Sequence, residues 1–222
     1  MAGPSFRRGL RDSALIFFAV GGFALAYGVL AVEAGFPVWL AIASSLIILS
    51  GAAQFAMVGL LTAGPAAVIV AALGLGLRHI PMSATLARLI GPQSLGTRVR
   101  LGYVLVDETF GLTVRAAATG EVDDIVAYKS AADMSLVTAW VLGTAIGAVF
   151  GSAIDPEVVG IGVLFGLLFL GLAAPMVSTR RDLVVAGLTV AATVVAVLVL
   201  PAAWQITSAA LVAAAIGVFL GE

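Results

Sequence analysis

Two adjacent pairs of ionisable residues, Arg78-His79 and Asp107-Glu108, stand inside stretches otherwise apolar enough to dissolve in lipid. A charge near the middle of a bilayer costs on the order of 2.5 to 3.5 kcal/mol on insertion scales, so groups placed there pair, face water, or serve a substrate or ion pathway. Arg78 has five donors and stays charged at any physiological pH, which suits it to grip a carboxylate in a bidentate fork. The competing role is a structural ion pair with Asp107 or Glu108 that staples two helices. Lysine at 78 would discriminate, because a point charge preserves a pair better than a fork.

Asp107 and Glu108 are neighbours on a helix, so their side chains point about 100° apart and do not face one partner together. One is expected to pair while the other faces a cavity, fitted to carry a proton or to meet a substrate ammonium. The alternative is a helix near the membrane interface with both acids hydrated. His79 is the one side chain here whose ordinary titration lies near neutrality, so it is either a pH gate or a hydrogen-bonding structural group. Ser50-Gly51-Ala52-Ala53-Gln54 supplies neutral groups at an expected helix break, where half-helix N-termini would stabilise a carboxylate; a small-residue packing seam is the alternative. The substrate-binding set expected from sequence is therefore Ser50, Gly51, Gln54, Arg78, His79, Asp107 and Glu108. Trp140 reads as an interfacial anchor rather than a site residue, as do Trp39 and Trp204.

The elements that must hold these groups are membrane helices. Of 222 residues, 62% are hydrophobic and 10% charged, where a soluble domain carries roughly 25% charge, and the mean hydropathy is +1.18. At about 20 apolar residues per crossing, the length accommodates roughly six to eight crossings with no room for a soluble domain. The 26 glycines and 8 prolines point to helices that pack closely or are interrupted. With no cysteine and one histidine, disulfides, thiolate chemistry and a His-rich metal site are excluded, and no cofactor is expected. The net charge of −1, with arginines scattered along the chain, gives no basic patch for nucleic acid.

Along the chain, residues 13–32 read as the first membrane helix, because the run is longer than a signal peptide's apolar region and no cleavage site follows. Arg7, Arg8 and Arg11 place the N-terminus in the cytoplasm. Residues 38–61 form an apolar stretch broken at 50–54, and a third stretch ends near residue 90 with Arg78 at its middle. Pro81 lacks a donor and clashes with the carbonyl of Leu77, so a kink coincides with the charge. A fourth helix is expected over 99–118, a solvated external loop over 120–133, and further helices over 134–154, 158–177, 183–200 and 204–220. Together they make one all-α integral membrane domain over 1–222.

Phe36-Pro37 followed by Gly51-Ala52-Ala53-Gln54 has an echo in Asp155-Pro156 followed by Gly171-Leu172-Ala173-Ala174-Pro175, each after a glycine-bearing helix. Weak internal symmetry of this kind is found in transporter folds. If every stretch crossed once, the arginines at 88–100 would lie outside. If 37–62 and 156–178 are broken, re-entrant hairpins, those arginines become cytoplasmic and the two units acquire opposite orientations, an inverted repeat.

The sequence resembles the AzlC family, the large subunit of branched-chain amino acid exporters of the YgaZ type. Its F-A-G-A-[SA]-Q signature is similar to Ser50-Gly51-Ala52-Ala53-Gln54, N-x-R-H to Arg78-His79, L-T-D-E to Leu105-Val106-Asp107-Glu108, and W-x-x-G-T-x-x-G is met by Trp140, Gly143, Thr144 and Gly147. Gly76 and Val106 depart from the pattern by replacing two polar residues beside the charged cluster, and the early P-F-G survives as Tyr27-Gly28. The resemblance implies export of branched-chain amino acids such as valine across the cell inner membrane, with a small AzlD-like membrane subunit as partner. No P-loop occurs, which disfavours direct use of ATP. Three hypotheses follow: a secondary transporter of a small zwitterion, coupled to protons or to the substrate gradient; an intramembrane enzyme, disfavoured because His79 has no serine nucleophile in a sharp turn; and a subunit inactive without its partner. The number of copies in a homo-oligomer, the coupling ion and the direction of transport are not written in the sequence.

Overall fold

The computed structural model describes residues 3–151, 177, 179–201, 204, 205, 208, 211, 212, 215 and 216. Its elements are helical: α1 Pro4–Asp12, α2 Ala14–Glu33, α3 Val38–Ile47, α4 Gly51–Gly59, a 3-10 turn Leu61–Ala63, α5 Pro65–Gly76, α6 His79–Ile90, α7 Leu95–Tyr103, α8 Asp107–Thr119, α9 Ile125–Phe150 and α10 Arg180–Val199. Among the described residues, four stretches are long and apolar enough to cross a bilayer: Ala14–Glu33, Pro65–Ile90, Ile125–Phe150 and Arg180–Val199. A 20-residue helix rises about 30 Å, the thickness of the hydrocarbon core. This is an all-α membrane bundle.

The chain divides into two compact units, Met1–Gln54 with Arg78–Ala153, and Phe55–Leu77 with Ile154–Glu222. The first is built on α2 against α9. On α2 the buried residues Val20, Phe23, Ala24, Tyr27, Gly28 and Ala31 recur at three- and four-residue spacing, one helical face, while Leu15 and Phe18 point outward. On α9 the matching face is Leu136, Ala139, Trp140, Gly143, Thr144, Gly147 and Ala148. Glycines let the backbones touch: a β-carbon on Gly143 would strike the Gly21 carbonyl, one on Gly147 the Leu25 carbonyl, and one on Gly28 the Thr144 carbonyl. Since Gly21 meets Gly143, Leu25 meets Gly147 and Val29 meets Gly151, the two helices run parallel. This differs from the opposed orientation expected of helices heading an inverted repeat.

The break expected at 50–54 falls earlier, at 48–50, with α3 ending at Ile47 and α4 beginning at Gly51, so Gly51–Gln54 is helical. Leu49, between them, takes a positive φ of 44°. A continuous helix would hold residues 44 and 54 about 15 Å apart. Instead the Gln54 amide donates to Ser44 Oγ at 3.2 Å and Ser45 Oγ at 3.0 Å, so the chain turns back at the break and Gly51–Gln54 returns beside α3.

Residues 99–118 do not form one helix. α7 ends at Tyr103, Val106 is extended, and Asp107 starts α8. β-Branched Val104 and Val106, poor helix formers, flank that break. Arg100 on α7 donates to Ser130 at 2.9 Å, near the start of α9, and Ala116 on α8 clusters with Val122 and Tyr128 at that same end. α7 and α8 therefore both pack against the first turns of α9; neither is long enough to cross a bilayer.

The solvated loop expected over 120–133 shrinks to residues 120–124. Asp124 caps α9 by accepting from the Ala127 amide at 2.9 Å, and the helix swallows the rest. Nor does this loop lie on the face opposite the N-terminus. Arg8 of α1 pairs with Glu121, and the Asp124 amide donates to Ser5 Oγ at 3.2 Å.

In the second unit, Gly64 at φ 91° precedes Pro65 at the start of α5, and α10 opens on a capping box in which Thr179 and Asp182 satisfy each other's backbone amides at 3.1 and 2.8 Å. The second repeat motif at 155–175, the helix expected over 158–177 and most of that over 204–220 lie outside the described residues.

Candidate functional site

Arg78 and Asp107 are brought together by two interruptions of helix. Pro81 is the third residue of α6, so the carbonyl of Leu77 receives no amide from it; α5 stops at Gly76 and α6 restarts at His79. Leu77 and Arg78 keep helical dihedral angles (−57°, −31° and −59°, −26°), which makes this a joint rather than an unwound segment. Asp107 and Glu108 are the first two residues of α8, where the positive end of the helix dipole favours carboxylates. Arg78 Nη1 lies 3.0 Å from Asp107 Oδ2.

The pair is open, with the two side chains 38% and 50% exposed. An ion pair reached by water is worth about 0 to 1 kcal/mol, so separating it costs the fold little. Arg78 Nε, in contrast, is buried and without a hydrogen-bond partner among the described residues. A buried donor left unmet costs about 1 to 3 kcal/mol, which an incoming acceptor would return. Glu108 makes no ion pair among the described residues. His79, the first residue of α6, is half-buried.

Gln54 belongs to a different cluster. Its Nε2 donates to Ser44 and Ser45, and its Oε1 accepts from Trp140 Nε1 at 2.9 Å. Ser44 Oγ donates to the Ala41 carbonyl at 2.7 Å, so it accepts from the Tyr27 hydroxyl, also 2.7 Å away. Ser45 Oγ meets Thr144 Oγ1 at 2.8 Å, and Tyr27 stacks on Trp140 with ring centroids 6.2 Å apart. All six residues are buried, and the network ties α2, α3, α4 and α9. Gln54 spends its amide on these partners and makes no hydrogen bond to Arg78 or Asp107. Gly51 lets the Trp140 ring approach, since a β-carbon there would stand 2.7 Å from Cη2. Ser50, half-buried at the break, accepts from the backbone N–H of Gln54 at 2.9 Å through its carbonyl. Trp140 is thus a buried partner of the break, not an interfacial anchor, whereas Trp39 is 67% exposed.

The sequence reading missed Lys129 and Asp133. Both are buried on α9, and Lys129 Nζ lies 2.7 and 2.9 Å from the two Asp133 oxygens. The ammonium also donates to the Val104 carbonyl at 3.2 Å and reaches Thr109 Oγ1 at 3.5 Å. It thereby holds the Val104 carbonyl at the α7–α8 break and reaches the side chain of Thr109, two residues into the helix that Asp107 begins. The signal was a lysine and an aspartate four residues apart, the spacing of one helical face. A second tie, from the Tyr103 hydroxyl to the Leu46 carbonyl, links the α7 end to the α3 end.

Comparison with known proteins places these residues in context. A family model described as "AzlC protein" matches residues 15–154, which span α2 to the end of α9. A protein of Archaeoglobus fulgidus described as an "uncharacterized membrane protein" is 31% identical over 184 residues, covering 79% of this chain and 78% of that protein. No solved structure matches the chain.

Proposed function

This chain belongs to the AzlC family, and from that premise we propose that it is a secondary transporter exporting branched-chain amino acids such as valine. The observation that carries the proposal is Arg78: half-open, loosely paired with Asp107 at 3.0 Å, and holding a buried Nε without a partner. A zwitterionic amino acid can enter by exchange. Its carboxylate takes the Arg78 fork, its ammonium takes Asp107 or Glu108, and the two charges that parted are each paired again. Net charge is conserved, so the substrate is desolvated without leaving a buried ion alone.

In this proposal Arg78, Asp107 and Glu108 touch substrate, and His79 borders them. Ser50 and Gly51 contribute backbone at the α3–α4 break, and Gln54 holds that break in shape. The protein resides in the cytoplasmic membrane as a multi-pass chain with its N-terminus inside. A small AzlD-like membrane subunit, or further copies of this chain, complete the assembly.

Liposomes containing the purified chain alone and loaded with labelled valine test the reading. Release that falls at least about tenfold in Arg78→Lys, with the thermal unfolding temperature unchanged, is the expected result, because the lysine keeps the pair with Asp107 and loses the fork. Equal release by both proteins removes Arg78 from the substrate site. Release only after a small partner is added assigns the chain the role of a dependent subunit.

A further inference from the structure

A second cluster of charge lies at the far end of the first unit and takes no part in the proposed transport site. Arg8, Arg11 and Asp12 of α1, Arg115 of α8, Glu121 of the loop and Tyr128 of α9 line a cavity of about 330 Å³. Most of its charges are spent on one another. Arg8 donates to the Glu121 carboxylate and to the Glu121 carbonyl at 3.1 Å, and lies 3.5 Å from Asp12. Asp12 also accepts from Arg11 and from the Tyr128 hydroxyl, each at 3.2 Å. Arg115 makes no ion pair among the described residues. Three guanidiniums facing two carboxylates leave one positive charge to be met, and Arg115 is the group that carries it.

The surroundings say what kind of anion fits. α1 buries Gly9 against the Tyr128 carbonyl of α9, continuing along α9 in step with α2, and presents Arg7 and Arg11 outward. Immediately beyond Arg11, Leu15 is 82% and Phe18 75% exposed, so lipid-facing surface begins within two turns of the cavity. A ligand that joins a phosphate to hydrocarbon satisfies both features; a free anion satisfies one. Guanidinium pairs with phosphate oxygens are the strong, bidentate kind.

We propose that this cavity binds the phosphate of an anionic phospholipid headgroup, held chiefly by Arg115 and Arg11, with the acyl chains running along the start of α2. The site is independent of the amino acid substrate and docks α1 against α8 and α9 through the lipid.

The test follows thermal unfolding of the full chain in detergent while short-chain phosphatidylglycerol, short-chain phosphatidylcholine or inorganic phosphate is titrated. Phosphatidylglycerol should stabilise at a concentration at least about tenfold lower than phosphatidylcholine, and Arg115→Gln should close most of that gap, whereas Arg98→Gln, away from the cavity, should leave it. Arg11→Gln provides a second lining variant should Arg115→Gln not fold. Equal half-saturation by the two lipids, or a gap that survives in both lining variants, overturns the proposal. Inorganic phosphate giving the full stabilisation at the same concentration also overturns it, by assigning the cavity to a soluble anion.

Discussion

Arg78 and Gln54 are both polar groups in apolar sequence, and their environments separate them. Gln54 has both amide hydrogens donated and its oxygen accepted within a buried network, so a substrate that used it would have to break bonds already made. Arg78 has a buried donor still to be met. Lys129 and Asp133 pose the reverse problem, a charged pair sealed among helices with every strong group satisfied. Such a pair adds little stability over apolar residues of the same shape, but removing one member strands the other, at a cost of about 3 to 5 kcal/mol. Lys129→Met is therefore expected to lower stability by that amount in chemical denaturation, and Lys129→Met combined with Asp133→Leu to recover most of it. Because the ammonium also holds the Val104 carbonyl, the double variant should fold yet grip valine less well. If the double variant is as unstable as the single one, the pair has a role that apolar packing cannot replace.

At the scale of elements, the α2–α9 contact is the frame on which the site is hung. Its glycines remove the side chain where the two backbones meet, and Gly147 is the tightest of them, facing the Leu25 carbonyl. Gly147→Val should destabilise the first unit by about 1 to 3 kcal/mol, seen as a lower unfolding temperature, with Gly22→Val, where nothing stands in the way, as the matched control. The first membrane helix was legible within a residue at each end, 13–32 against Ala14–Glu33, because an unbroken apolar run leaves no other reading. The α3–α4 break was legible through Gly51, although the cause, Gln54 folding back onto Ser44 and Ser45, needs tertiary contacts to see. The α7–α8 break was not legible. Val104, Leu105 and Val106 are as apolar as a helix crossing lipid, and hydropathy does not distinguish a segment facing lipid from an extended one buried in protein. The start of α9 was lost for the opposite reason: four acids and a lysine read as water-facing, when two of those charges neutralise each other inside the bundle. In the candidate site the same rule holds, since Arg78 and Asp107 advertise themselves by standing in apolar sequence while Lys129 hides in a charged one.

At the scale of the molecule, the placement of charge in the first unit gives its orientation a test. The loop at 120–124 touches α1 through Glu121 and Asp124, so it shares a face with Arg7, Arg8 and Arg11. α7 meets the start of α9 through its last turn: Arg100 bonds Ser130, Leu101 shares a cluster with Ile90 and Val126, and Tyr103 reaches Leu46. In the proposed orientation this end, with the N-terminal arginines, faces the cytoplasm, as the positive-inside rule favours, and Arg88 and Arg98 are expected on the same side. Residue 35 sits beyond the far end of α2, about 30 Å away along a 20-residue helix. Single cysteines at Thr97 and Gly120 should thus react with an impermeant reagent from the same side, the cytoplasmic one, and a cysteine at Gly35 from the other. The absence of native cysteine makes the measurement free of background. Labelling of 97 and 120 from opposite sides would require the 120–124 loop to part from α1, breaking the Arg8–Glu121 pair, and would restore the external acidic loop that hydropathy and charge runs alone suggest.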